Sequence, residues 1–167
     1  MKAHDFYSNV LPQDMRAWVG ERGLVKLALA AVQTVSLRRS GFGTGHLDET
    51  SPQMVLTLVT YCYAANIVSG HEIERAARSD ESIRYICAYT RPGRDVIRRF
   101  RRTHRQLMEH CISWVVAEAW KLKCTEEAPE QIFDIRLGAE RYCAIFSWVR
   151  EKLARASRLD ALAPESV

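Results

Sequence analysis

No two of the five cysteines in this 167-residue chain stand in a Cys-x-x-Cys spacing; they fall at 62, 87, 111, 124 and 143. The close pairs that zinc ribbons and small disulfide frameworks need are therefore missing. The opening residues, MKAHDFYSNVLPQD, hold no continuous apolar run, so no secretory signal is legible. Together these features predict a cytoplasmic protein whose thiols serve as small buried hydrophobes. The longest largely apolar stretch, Met54–Ala65, has 12 residues, two of them threonine. A membrane span needs about 20, and none is expected.

The motifs of common chemistry are incomplete as well. In His71-Glu72-Ile73-Glu74-Arg75, arginine stands where the zinc motif HExxH has its second histidine. A capped, exposed helix with a Glu72–Arg75 pair is expected there instead. Gly41-Phe42-Gly43-Thr44-Gly45 is followed by His46, so it matches neither GxGxxG nor a phosphate-binding P-loop; it reads as a connector. No nucleophile with a base, and no pair of carboxylates, stands at a recognisable spacing. The sequence implies no enzyme activity, no cofactor and no metal.

What is present is helical. Apolar residues make up 47% and charged residues 26%, as in ordinary globular proteins. We expect an all-α, compact single domain of six or seven helices. Met15, Trp18 and Val19 mark a first segment, and Leu24–Val35 a second. Ser51-Pro52 starts a helix carrying Met54, Val55, Leu58, Val59, Cys62 and Ala65. Ser69-x-x-Glu72 predicts a capping box, with Ile73, Ala76 and Ala77 facing inward. Ser79-Asp80 breaks and recaps the chain before a short helix with Ile83, Ile86 and Cys87 inward. After the turn at Thr90–Gly93, Asp95 is expected to cap a helix running to about Lys123 without Gly or Pro. A last helix, about 130–157, carries Ile135, Ala139, Tyr142, Phe146, Val149 and Leu153 in near-heptad steps. Trp114, Trp120, Phe133 and Trp148 also lie at helical spacings and suit a core or an interface.

The charge is concentrated in one place. Residues 91–105, RPGRDVIRRFRRTHR, hold seven arginines against one acid, a local net of +6 in a chain whose total is +4. All seven are arginine, whose planar guanidinium binds phosphate or guanine bidentately. At about 100° per residue, Arg98, Arg101, Arg102 and Arg105 share one side of a helix. Val96, Phe100, Leu107, Cys111 and Trp114 form a separate apolar stripe, and His104 is expected beside Phe100 and Leu107. Two short helices ahead of a turn and a basic helix give the layout of helix-turn-helix DNA readers. Arg98, Arg101, Arg102 and Arg105 are then expected on phosphates or groove edges, with Arg91 and Arg94 holding the backbone at the N-terminal turn. Arg99 lies farther round. The solvated alternative is a charged face balanced by acids elsewhere.

The run SPQMVLTLVTYCYAANIVSGHEIERAARSDESIRYICAYTRPGRDVIRRFRRTHRQLMEH resembles the N-terminal domain of bacterial insertion-sequence transposases of the IS5/IS1182 type. The carrying residues are Ser69-Gly-His-Glu-Ile-Glu-Arg75, Arg84-Tyr85-Ile86, and above all Ile97-Arg98-Arg99-Phe100-Arg101-Arg102 with His104. The best-matched part is 51–120, inside a helical DNA-binding domain over 1–124; residues 125–167 read as a C-terminal helix and frayed tail. The resemblance implies a double-stranded DNA partner and a helical grip placed ahead of an RNase H-like catalytic domain with three metal-binding carboxylates. The residues after Trp120 read as one helix, with no strands and separated acids to match that domain. The expectation is therefore a DNA-binding module without catalytic capacity, whether truncated, split or free-standing, and nucleoid-associated when bound. The alternative is a protein-interaction module. In it, the seam of Ile135, Tyr142, Phe146, Val149 and Leu153 pairs with a second copy or with a full-length transposase.

Overall fold

The computed structural model describes residues 11–35, 51–127 and 137–162, and among these every regular element is a helix. Seven helices follow in order: α1 Arg16–Gln33, α2 Pro52–Ala64, α3 Gly70–Ser79, α4 Glu81–Ile86, α5 Arg94–Thr103, α6 Arg105–Glu127 and α7 Ala139–Leu162. The expected glycine-rich connector at 40–46, with Phe133 and Ile135, lies outside the described residues.

α2 is the centre. Every residue from Val55 to Ala64 is buried, so β-branched Val and Thr are helical here through packing on all sides. α1, α6 and the α3–α5 group surround it. Met15, fully buried, donates its N–H to Ala64 O at 2.8 Å and ties the start of α1 to the end of α2. The two segments expected before residue 36 are present within α1 as two helical pieces that meet at Gly20, whose φ of 73° and ψ of 170° leave the helical region. That φ favours glycine. Trp18, ahead of the bend, meets Trp120 of α6 with ring centroids 5.9 Å apart.

The expected caps form. Ser51 Oγ accepts from Met54 N at 3.2 Å, with Pro52 in the first turn. Ser69 and Glu72 make both bonds of the capping box, 3.0 and 3.3 Å. Asp80 Oδ1 takes Ile83 N at 3.1 Å. Glu72 is thus bonded to the Ser69 backbone, and the expected Glu72–Arg75 pair does not form. Ile73 and Ala77 are buried as expected, while Ala76 is half-buried.

Three expectations are corrected. Asp95 does not cap α5; Gly93 is the N-cap residue, with no side-chain bond, and Asp95 sits in the first turn. The helix expected to run to Lys123 is broken at His104, where φ is −120° and ψ 36°. No Gly or Pro marks this break. Thr103, a weak helix former, turns its hydroxyl back to Arg99 O at 2.9 Å, and the His104 ring packs 4.7 Å from Phe100. The final helix begins after Gly138 and extends to Leu162.

α7 packs into the main core. Ile145, Trp148, Val149, Leu153 and Ala156 are buried with α6 residues such as Cys111, Ile112 and Val115. Cys62, Cys87, Cys111 and Cys124 are buried as expected, but Cys143 is exposed. No described helix is long and apolar enough to cross a membrane.

Candidate nucleic-acid interface

The basic run is presented by a built turn. Tyr89 N donates to Arg84 O at 2.8 Å, and Thr90 Oγ1 to Cys87 O at 2.6 Å. Ala88 and Tyr89 both take left-handed φ values, 48° and 61°. The Tyr89 phenol donates to Glu81 Oε1 at 3.2 Å, and the Arg84 guanidinium lies 5.4 Å from the Tyr89 ring centroid. The turn thus has local support on both sides before α5 begins.

α5 buries Ile97, Phe100 and Arg101. That inward face is rotated by about one residue from the one expected around Val96 and Phe100. The outward side therefore carries Asp95, Arg99 and Arg102, with Arg98 at its edge, half-buried. Arg99, assigned farthest from the ridge, is fully outward. Arg105 is exposed but belongs to α6, across the break. Arg91 is exposed ahead of α5, and Arg94 is engaged with Glu74 Oε2 at 2.8 Å.

Arg101 is the main correction. It is only 8% exposed. Its Nη1 donates to Val68 O at 2.7 Å and to the Tyr63 phenol at 3.0 Å, while Nη2 bonds both oxygens of Asp160 in α7. A buried guanidinium needs such partners because leaving one uncompensated is costly. Arg101 is a staple between α2, the α2–α3 loop and α7, and is unavailable to a phosphate. Burial pushes the Tyr63 phenol up to about 12, against the pull of the Arg101 charge.

With Arg94 and Arg101 engaged, Arg91, Arg98, Arg99, Arg102 and Arg105 form no salt bridge with any described residue. Five of seven guanidiniums in one short stretch thus have no carboxylate partner among the described residues. His104 packs on Phe100, as expected, and desolvation lowers its pKa. No group of three His, Cys, Asp or Glu side chains able to hold a metal forms among the described residues.

No protein-family model, no curated protein and no solved structure matches this chain.

The C-terminal seam divides in two. Val149 and Leu153 are buried in the chain's own core. Tyr142 and Phe146, 40% and 46% exposed, line a groove of about 510 Å³ between α6 and α7, with Trp114 and Ala117. α7 turns Ile145, Trp148 and Val149 inward, so the expected stripe is not one continuous free face. Lys152 lies on the buried side, where the sequence pattern gives no sign of it. Its ammonium donates to Gln13 O at 2.7 Å and to Asn66 Oδ1, and lies 4.6 Å from the Trp148 ring. No carboxylate among the described residues bonds it, and burial, aided by Arg155, lowers its pKa to about 8. Asn66 is held at φ 62° where α2 ends.

Proposed function

We infer that this chain is a DNA-binding module that grips duplex backbone and performs no chemistry, in line with its resemblance to the N-terminal domain of insertion-sequence transposases. The observation that carries this reading is the set of five guanidiniums, Arg91, Arg98, Arg99, Arg102 and Arg105, without a salt bridge among the described residues. Like charges this close repel, and a polyanion removes that cost by supplying the missing counter-charge. α3, α4 and α5 would serve as a helix-turn-helix-like unit, with the Arg98–Arg99–Arg102 side of α5 turned to the duplex. The test is fluorescence anisotropy with a generic 30-bp duplex across salt concentrations. Each neutralised phosphate contributes about −0.9 to the slope of log K against log salt. A slope of about −3 to −5 is expected; absence of binding at low salt overturns the reading.

A second reading is favoured by exposed Tyr142 and Phe146 beside Trp114. The α6–α7 groove would then seat a second copy or a transposase chain. Sedimentation velocity over a range of concentrations tests self-pairing, and a concentration-independent monomer removes it.

A further inference from the structure

A cavity of about 360 Å³ opens where the α5–α6 junction meets the C-terminal turns of α7. Its lining is divided by chemistry. Arg101, Arg102 and Arg105 come from the junction, and Asp160 from α7. Asp160 is the only acid among the described residues of the lining, and both of its oxygens are occupied by Arg101. That pair sums to zero charge. Arg102 and Arg105 make no ion pair with a described residue, so the described lining carries two positive charges beyond the Arg101–Asp160 pair. Arg101 also keeps its buried Nε–H without an acceptor. The other side is apolar: Met108 and Leu153, with the Tyr63 ring, are buried there. Ser157 and Ala161 complete the α7 side, and Ala161 is exposed.

We propose that this cavity binds a small phosphomonoester of nucleotide size, its phosphate on Arg102 and Arg105 and its organic body against Met108 and Leu153. Three arguments select this class. A phosphomonoester carries about −1.5 to −2 charge at pH 7, which matches the two guanidiniums of Arg102 and Arg105. The planar fork of arginine suits phosphate oxygens bidentately. The volume lies at the small end of ligand pockets, roughly 300–1,000 Å³, enough for one ring system and too little for a chain of nucleotides. This site stands apart from duplex binding, although the two share Arg102 and Arg105. A bound phosphomonoester would hold both side chains away from a duplex.

The experiment is titration of the whole chain with AMP by isothermal calorimetry, with inorganic phosphate and succinate as competitors. The expected result is saturable one-to-one binding that phosphate displaces and succinate does not. Ala161→Trp, at the rim, should weaken AMP at least tenfold and leave duplex affinity within twofold. Ser157→Leu is a second plug, should Ala161→Trp lose its helical circular dichroism. Arg98→Ala with Arg99→Ala, outside the cavity, should weaken the duplex and leave AMP unchanged. The two surfaces can therefore fail separately. The proposal is overturned by absence of saturable binding, by AMP binding that survives both plugs, or by displacement by succinate as strong as by phosphate.

Discussion

The Arg101 guanidinium holds the Asp160 carboxylate across 59 residues of chain, while its other terminal nitrogen binds Val68 O and the Tyr63 phenol. One arginine of a basic run is thereby withdrawn from the surface and made part of the interior. Breaking a buried pair by removing one partner costs about 3–5 kcal/mol. Arg101→Ala and Asp160→Ala should each destabilise the chain by that order in urea denaturation. Arg101→Met combined with Asp160→Leu should recover part of the loss, because no charge is then left stranded. A double variant no more stable than either single one contradicts this account.

The outward arginines should behave in the opposite way. Arg98→Ala, Arg99→Ala and Arg102→Ala touch no ion pair among the described residues, and each should change stability by no more than about 0.5 kcal/mol. Each phosphate contact removed should flatten the salt slope of duplex binding by about 0.9. An unchanged slope in the triple variant would place the DNA contacts elsewhere.

Lys152 gives a pH signature. Its pKa falls from 10.5 to about 8 in the folded chain, through burial first and Arg155 second, with Asp14 and Glu151 acting in opposition. Between those values the unfolded chain holds the proton and the folded chain does not, so this group's contribution makes stability rise with pH across that window. The whole span is at most about 3 kcal/mol. Cys87 and Cys111, both raised by burial to about 11, act in reverse above pH 9. Lys152→Met isolates the lysine: the stability of the native chain relative to this variant should increase from pH 8 to 10.5. A difference that stays flat with pH would contradict the depressed pKa.

Thiol accessibility separates one cysteine from the other four. Cys143 is exposed, whereas Cys62, Cys87, Cys111 and Cys124 are buried. A thiol reagent should label one cysteine rapidly in the native chain and all five only after denaturation. Mass spectrometry should place the first label on Cys143. Rapid native labelling of Cys62, fully enclosed in α2, would refute the packing described.

The features legible in the sequence are those whose bonds close within a few residues. Ser51, the Ser69–Glu72 box and Asp80 each bond three positions along the chain, so local pattern sufficed. The basic run was equally plain. Its orientation was not, because Ile97 and Val96 both offer an apolar anchor for α5 and only tertiary packing selects Ile97. The partner that turns Arg101 inward lies on a different helix. The break at His104 carries no glycine or proline to announce it. In α7 two apolar stripes overlap at Val149 and Leu153, and periodicity alone does not decide which one meets the core. Lys152 was hidden for a related reason: its acceptors are a carbonyl at Gln13 and an amide at Asn66, remote in sequence.

The burial of Arg101 also means that the seven arginines of the run are not equivalent letters. Lysine carries the same charge but lacks the planar fork that reaches three acceptor groups at once. Exchanging Arg91, Arg98, Arg99, Arg102 and Arg105 for lysine would preserve the electrostatic character of the surface and leave the interior untouched. The same exchange at position 101 would keep the net charge and detach α7 from α2. A charge-preserving drift to lysine along this stretch is therefore tolerated by the fold at those five positions and arrested at position 101.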